Sequence, residues 1–224
     1  AGGFGTSSGV FFTLTGAPGP LPSMGDTVKP GSPVYLVELG SGVHYPLEVR
    51  FSAEASRYGA PNLLTLLPLQ GMPLKANARY AAVVLRALND AKGQPLGVSQ
   101  SMGDLAAGRT PPGLDETTAA AYRDALGRIG ASAQDVAGLA VFTTTDPVAE
   151  LVAFHDSALA LPAPALSMPL AQTEVFDDYC VYQARVPMPV YQSGTPPYST
   201  SGGTWGDPKA GPTRTEQARL VLTV

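Results

Sequence analysis

Few side chains in this chain can do acid–base or nucleophilic chemistry. Its 224 residues hold two histidines, His44 and His155, and one cysteine, Cys180. A serine-based hydrolytic centre needs an imidazole to take the hydroxyl proton and a carboxylate to orient that imidazole. His155 is followed by Asp156, but neighbouring positions on a helix point about 100° apart, so Asp156 is expected to be a poor orienting group. His155 is instead read as a buried or rim histidine on the apolar face of its helix. His44 stands between Val43 and Tyr45, in a segment read below as a hairpin turn, with no adjacent acid. Gly5-Thr6-Ser7-Ser8-Gly9 spells the bare G-x-S-x-G pattern. A nucleophile elbow holds its serine on a strained turn between a buried strand and a helix. Here almost nothing precedes Gly5 and a strand-like run follows Gly9, so a flexible glycine- and serine-rich segment is expected and no catalytic residue is assigned.

Metal and phosphate chemistry find equally little. Two distant histidines and a lone cysteine give no zinc spacing. The acidic pairs Asp115-Glu116 and Asp177-Asp178 lack the alternating oxygen ligands and central glycine of a calcium loop and are read as helix caps or solvated loop. Gly202-Gly203 leads into Thr204-Trp205-Gly206, without the Lys-Ser/Thr step of a phosphate loop. No metal or cofactor is therefore expected. The residues singled out for binding are aromatic: Tyr182, Tyr191, Tyr198 and Trp205. Their rings could stack on a polymer, a sugar or another surface ligand, or could pack a proline-rich loop onto a sandwich or a neighbouring domain.

The composition bounds the partners. Net charge is −4, and the 14 basic residues are scattered rather than clustered. This argues against nucleic acid and against a polybasic membrane patch. No run approaches the roughly 18 apolar residues of a transmembrane helix. Charged residues make up only 14% and glycine plus proline number 25 and 22, which favours many turns and short strands over a helical bundle.

The elements that would hold these residues follow from periodicity. Residues 10–14 and 34–39 read as strands, with a glycine- and proline-rich loop at 16–33 between them. Residues 46–51 alternate Leu47, Val49 and Phe51 with Glu48 and Arg50, the period of a half-buried strand. Gly40-Ser41-Gly42 is turn chemistry, so 34–39 and 46–51 are expected to form a hairpin. Residues 63–67 and 80–88 are continuous apolar runs, the second ending on the turn Asn89-Asp90-Ala91-Lys92-Gly93. Residues 114–130 place Tyr122, Leu126 and Ile129 on one helical face, with Gly130 as the stop. Ser132 and Asp135 form a capping-box pattern for a second short helix, and 140–144 returns to strand. Asp146-Pro147 caps a helix whose apolar face would carry Val148, Leu151, Val152, His155 and Leu159. The proline-rich stretch 162–169 is the expected boundary. Residues 179–186 and 219–224 read as strands, and the chain stopping inside an apolar strand suggests a cut fragment.

Two groups of segments carry a family resemblance. NLLTLLPLQGMPLKANAR (62–79) with YAAVVLRALNDAKGQPL (80–96), followed by AVFTTTDP (140–147), resembles bacterial Ig-like modules that carry a helical insertion. PVYQSGTPPYSTSGG (189–203) with RTEQARLVLTV (214–224) resembles the segment just before the catalytic domain in large secreted α/β-hydrolase or lipase-like proteins, notably myxobacterial. The resemblance implies a catalytic part beyond Val224, and carries no catalytic residue onto this chain. The expectation is a mainly β protein. Residues 1–161 would form an Ig-like β-sandwich with a helical insertion at about 114–138 and a following helix at about 147–161. Residues 162–224 would be a proline-rich, extended linker with strands leading to or packing against an adjacent hydrolase domain. The implied role is a non-catalytic accessory scaffold of a secreted, extracellular or cell-surface bacterial hydrolase. The alternatives are a stand-alone adhesion module binding through the loop 191–205, and a small serine esterase using Ser7.

Overall fold

The computed structural model describes residues 3–57, 59–198 and 202–224. The chain is mainly β, with 34% strand, 18% helix and three antiparallel sheets. It divides into two compact units, 1–147 and 148–224.

In the first unit, β1 (Val10–Thr13), β4 (Leu47–Ser52) and β5 (Leu63–Pro68) form a three-stranded sheet in the order β1-β5-β4. A four-stranded sheet runs β3-β2-β6-β7, from β2 (Val34–Glu38), β3 (His44–Tyr45), β6 (Arg79–Leu85) and β7 (Val136–Thr143). Val10, Leu47, Leu64 and Leu66 of the first sheet share one core with Val34, Leu36, Tyr80, Ala82, Val84 and Phe142 of the second. The opposite face of the four-stranded sheet, carrying Tyr35, Val37, Ala81, Val83 and Leu139, packs under α1 (Gln100–Ala106) and α2 (Glu116–Leu126) through Met102, Leu105, Ala119, Ala125 and Leu126. The unit is thus sheet on sheet on helices. Its middle layer has no polar face, which is why β2 (VYLVE) is buried at every position and β6 (RYAAVVL) from Tyr80 through Val84. A strand covered on both sides loses the alternation that marks a half-solvated one. The strands of the other sheet, β1, β4 and β5, have one face inward and alternate in burial.

The expected hairpin between 34–39 and 46–51 is only partly present. After the turn the chain pairs with β2 over His44–Tyr45 alone. It then leaves for the other sheet, where β4 pairs with β5 from Leu47 to Ser52. Pro46 stands at the switch and has no N–H to extend the ladder. The strand expected over 80–88 stops at Leu85, and Arg86–Leu88 is a 3-10 turn. The turn expected at 89–93 is built as its residues suggest, with Asp90 Oδ1 accepting from the backbone N–H groups of Lys92 and Gln94, each at 2.8 Å.

The helical insertion begins earlier than 114. Helix α1 precedes it, with Ser99 Oγ accepting from Met102 N. This cap was the available signal, and the short span with Gly103 inside it gives almost no periodicity. Helix α2 starts on Asp115, whose carboxylate accepts from Thr118 N. Ser132 does not open a second α-helix. A single 3-10 turn spans Ala133–Asp135, no side chain caps it, and the chain enters β7 at once.

The second unit contains α3 (Pro147–Leu159), β8 (Met168–Val175), β9 (Cys180–Val190) and β10 (Arg214–Thr223). The strands form an antiparallel meander, β10-β9-β8. The 162–169 stretch thus runs directly into a strand, and both terminal strands extend beyond the expected 179–186 and 219–224. β9 pairs with β10 over ten regular positions, whereas its ladder with β8 shifts register twice. Pro187 and Pro189 are tolerated in the central strand because β8 reaches no further along it than Arg185. Past that point β9 has a neighbour on one side only.

Candidate functional site

Burial in the second unit is sparse and concentrated on one aromatic group. Phe154, Ala184 and Tyr191 are its buried apolar residues. The Phe154 ring lies 5.1 Å from that of Tyr191 and 5.1 Å from that of Trp205. Tyr191 is anchored further by a 2.8 Å hydrogen bond between its hydroxyl and Ser157 Oγ, which also donates to the carbonyl of Pro208 at 2.7 Å. Main-chain pairing between Gln192 and Trp205, with Gly206 N donating to Tyr191 O, closes the loop on this anchor. Inside the loop the backbones of Gly194 and Gly202 touch. A Cβ on Gly194 would stand 2.9 Å from Gly202 Cα, and both residues have positive φ. No L side chain fits there without moving the main chain. Residues 199–201 of this loop lie outside the described residues.

Of the four aromatic candidates, the structure gathers Tyr191 and Trp205, through Phe154. Tyr198 stands apart from them, its hydroxyl accepting from Arg214 Nη2 at 2.7 Å. Tyr182 is in β9, opposite Leu222 and Gln172. Phe154, the centre of the group, escaped the periodicity argument because the apolar stripe of α3 runs elsewhere. Val148, Leu151, Val152 and Leu159 form that stripe, and all four are exposed. The expectation for His155 is overturned with them. Its side chain is 66% exposed, and its Nδ1 lies 3.2 Å from Asp156 Oδ1. Adjacent Cβ vectors diverge, but two exposed side chains can bend round the outside of the helix and meet. Among the described residues no serine hydroxyl or thiol bonds to the other ring nitrogen.

In the first unit, His44 lies flat on Tyr35, with centroids 4.8 Å apart and planes within 3°. Burial holds its pKa below the ordinary imidazole value. Tyr35 donates from its hydroxyl to the carbonyl of Ile129 at 3.0 Å, and burial pushes its pKa up to about 12. A cleft of about 520 Å³ opens beside this stack, lined also by Lys29, Ser32 and Gly130. A second cleft, of about 600 Å³, lies between Phe12, Leu14, Asp90, Leu96 and Gly138. Its acid, Asp90, is already committed to two backbone amides. Ser7 is exposed in a turn before β1. Among the described residues no three His, Cys, Asp or Glu side chains group to hold a metal ion, and no helix is long and apolar enough to cross a membrane.

The third feature is the meander itself. By register, Tyr182 is opposite Leu222, Ala184 opposite Leu220 and Val186 opposite Ala218, which makes one face apolar. Gln183, Arg185 and Pro187 face Val221, Arg219 and Gln217 on the other. Leu220 and Leu222 are nevertheless 44% and 45% exposed. No protein family model, curated protein or solved structure matches the chain.

Proposed function

We propose that this chain is a non-catalytic accessory region of a secreted bacterial hydrolase of the lipase or esterase type, holding or presenting the catalytic domain or its substrate. The observation that carries the reading is the β8–β10 meander, whose β9–β10 ladder is regular in register yet leaves the apolar face around Leu220 and Leu222 open. A three-stranded sheet needs a covered apolar face to be independently stable, so a neighbouring domain is the natural cover. The hydrolase assignment rests on the resemblance of 189–203 and 214–224.

The first unit is proposed to be an immunoglobulin-like sandwich. The orders β1-β5-β4 and β3-β2-β6-β7 read as B-E-D and C′-C-F-G in the naming of that fold. Tyr80, at the start of the F-like strand, accepts from the backbone N–H of Lys75 with its hydroxyl at 2.9 Å. That is the place of the tyrosine corner, whose hydroxyl bonds back to the backbone a few residues upstream. The helices would then form an insertion between strands F and G.

Two measurements test the accessory reading. The reading frame beyond Val224 is expected to encode a domain with a nucleophile elbow, and a stop codon directly after Val224 would overturn the reading. The chain alone is expected to hydrolyse p-nitrophenyl butyrate no faster than buffer; activity lost in Ser7→Ala would establish an esterase instead. A second reading, a stand-alone adhesion module, draws on Trp205, which is 54% exposed on top of Phe154. Binding to a polymer surface that survives Trp205→Ala would remove it.

A further inference from the structure

The two edges of the meander differ. The β8 edge is interrupted by two register shifts and by Pro169, which has no N–H. Bulges and proline are the devices by which sheets block edge pairing. The β10 edge has none of them: Arg214–Thr223 holds register with β9 throughout, without proline, glycine or lysine. On the polar face, Arg219 is directly opposite Arg185. Both are exposed, and among the described residues neither guanidinium has an ion pair or a hydrogen bond. Like charges directly opposite across a ladder repel, so this pair calls for an anion above it.

From these observations we infer that the free edge of β10 receives an extended strand of a partner domain, with apolar residues facing Ala218, Leu220 and Leu222 and a carboxylate beside Arg219 and Arg185. The carboxylate neutralises the arginine pair, for which the planar guanidinium fork is suited, and the alternating apolar residues enlarge the face already formed. A second copy of the chain is a poor occupant. With faces in phase, the longest antiparallel self-pairings set either Arg219 against Arg219, or Arg214 and Glu216 against Leu222 and Leu220. The inference deepens the accessory reading and rests on it for the partner being a neighbouring domain.

The test uses the full chain and a labelled nine-residue peptide, Thr-Val-Thr-Val-Glu-Val-Thr-Val-Thr, with its Glu→Lys counterpart as control. Fluorescence anisotropy is expected to show the Glu peptide binding about three- to tenfold more tightly. Hydrogen exchange is expected to slow at β10 amides and not at β8. Arg219→Thr keeps a strand-forming residue, should raise the melting temperature of the unliganded chain by relieving the pair, and should erase the preference for Glu over Lys. Equal binding of the two peptides, no binding, or protection along β8 would each overturn the strand site. A dimer of the chain alone, with its β10 amides protected, would also overturn it by giving the edge to a second copy. These failures leave the accessory reading to the reading-frame test.

Discussion

Tyr80 does two jobs at one position. Its ring lies in the inter-sheet core with Phe142 and Tyr45, at 5.8 and 5.5 Å. Its hydroxyl gives the Lys75 N–H an acceptor, and burial raises its pKa. Tyr80→Phe keeps the ring and removes the acceptor, so it is expected to cost about 1–3 kcal/mol in urea unfolding. His44 makes a sharper test because its protonation can be followed. Burial lowers its pKa in the folded chain, so the unfolded chain binds the proton first as pH falls. The stabilising contribution is complete above the unfolded value of about 6.5 and is lost as pH falls through the folded value. His44→Phe keeps the stack on Tyr35 and is expected to flatten the fall in melting temperature below that pH. Glu38 is shifted the same way by its hydrogen bond from Lys75 Nζ at 2.8 Å, and by that from Ser41. Its contribution disappears only lower, as the pH drops through the carboxylate range. The two groups therefore separate along the pH axis.

At the scale of elements, the same residue type has different worth in different strands. Leu36 in β2 is fully buried between two layers, while Leu222 in β10 is nearly half exposed. Leu36→Ala is expected to destabilise by about 2–5 kcal/mol, and Leu222→Ala by no more than about 0.5 kcal/mol in the chain by itself. Denaturant midpoints of the two variants check this. A large loss from Leu222→Ala would mean that β10 is already covered in solution. The apolar stripe of α3 is the helical counterpart of that open strand face. It was legible in the sequence as periodicity, but Phe154, on another side of the helix, is what the fold buries.

At the scale of the whole molecule, core material is unevenly shared. Nearly all the fully buried side chains belong to the first unit, among them Leu36, Leu47, Leu64, Leu66 and Val136. Local stability follows the density of buried apolar contacts. Hydrogen exchange is therefore expected to find the amides of β2 and β6 slowest and those of β8 and β10 among the fastest of the strand amides, with two steps in denaturant unfolding rather than one. A single cooperative transition detected by every amide would contradict that division.

Local pattern was sufficient for much of this. The run at 63–67 and that at 80–88 as far as Leu85, the alternation of Leu47, Val49 and Phe51, and the Asp115 and Asp146-Pro147 helix starts can be read from neighbouring residues, because strand period, turn chemistry and capping act over only a few positions. The amino-acid order thus determined a mainly β chain with a helical interruption. Tertiary structure alone decided that 44–45 and 47–52 serve different sheets, that β2 and β6 are covered twice, and that Phe154 rather than His155 turns inward to Tyr191 and Trp205. Periodicity tells which side chains share a face; what that face meets depends on segments far away in the chain, whose burial a local pattern does not encode.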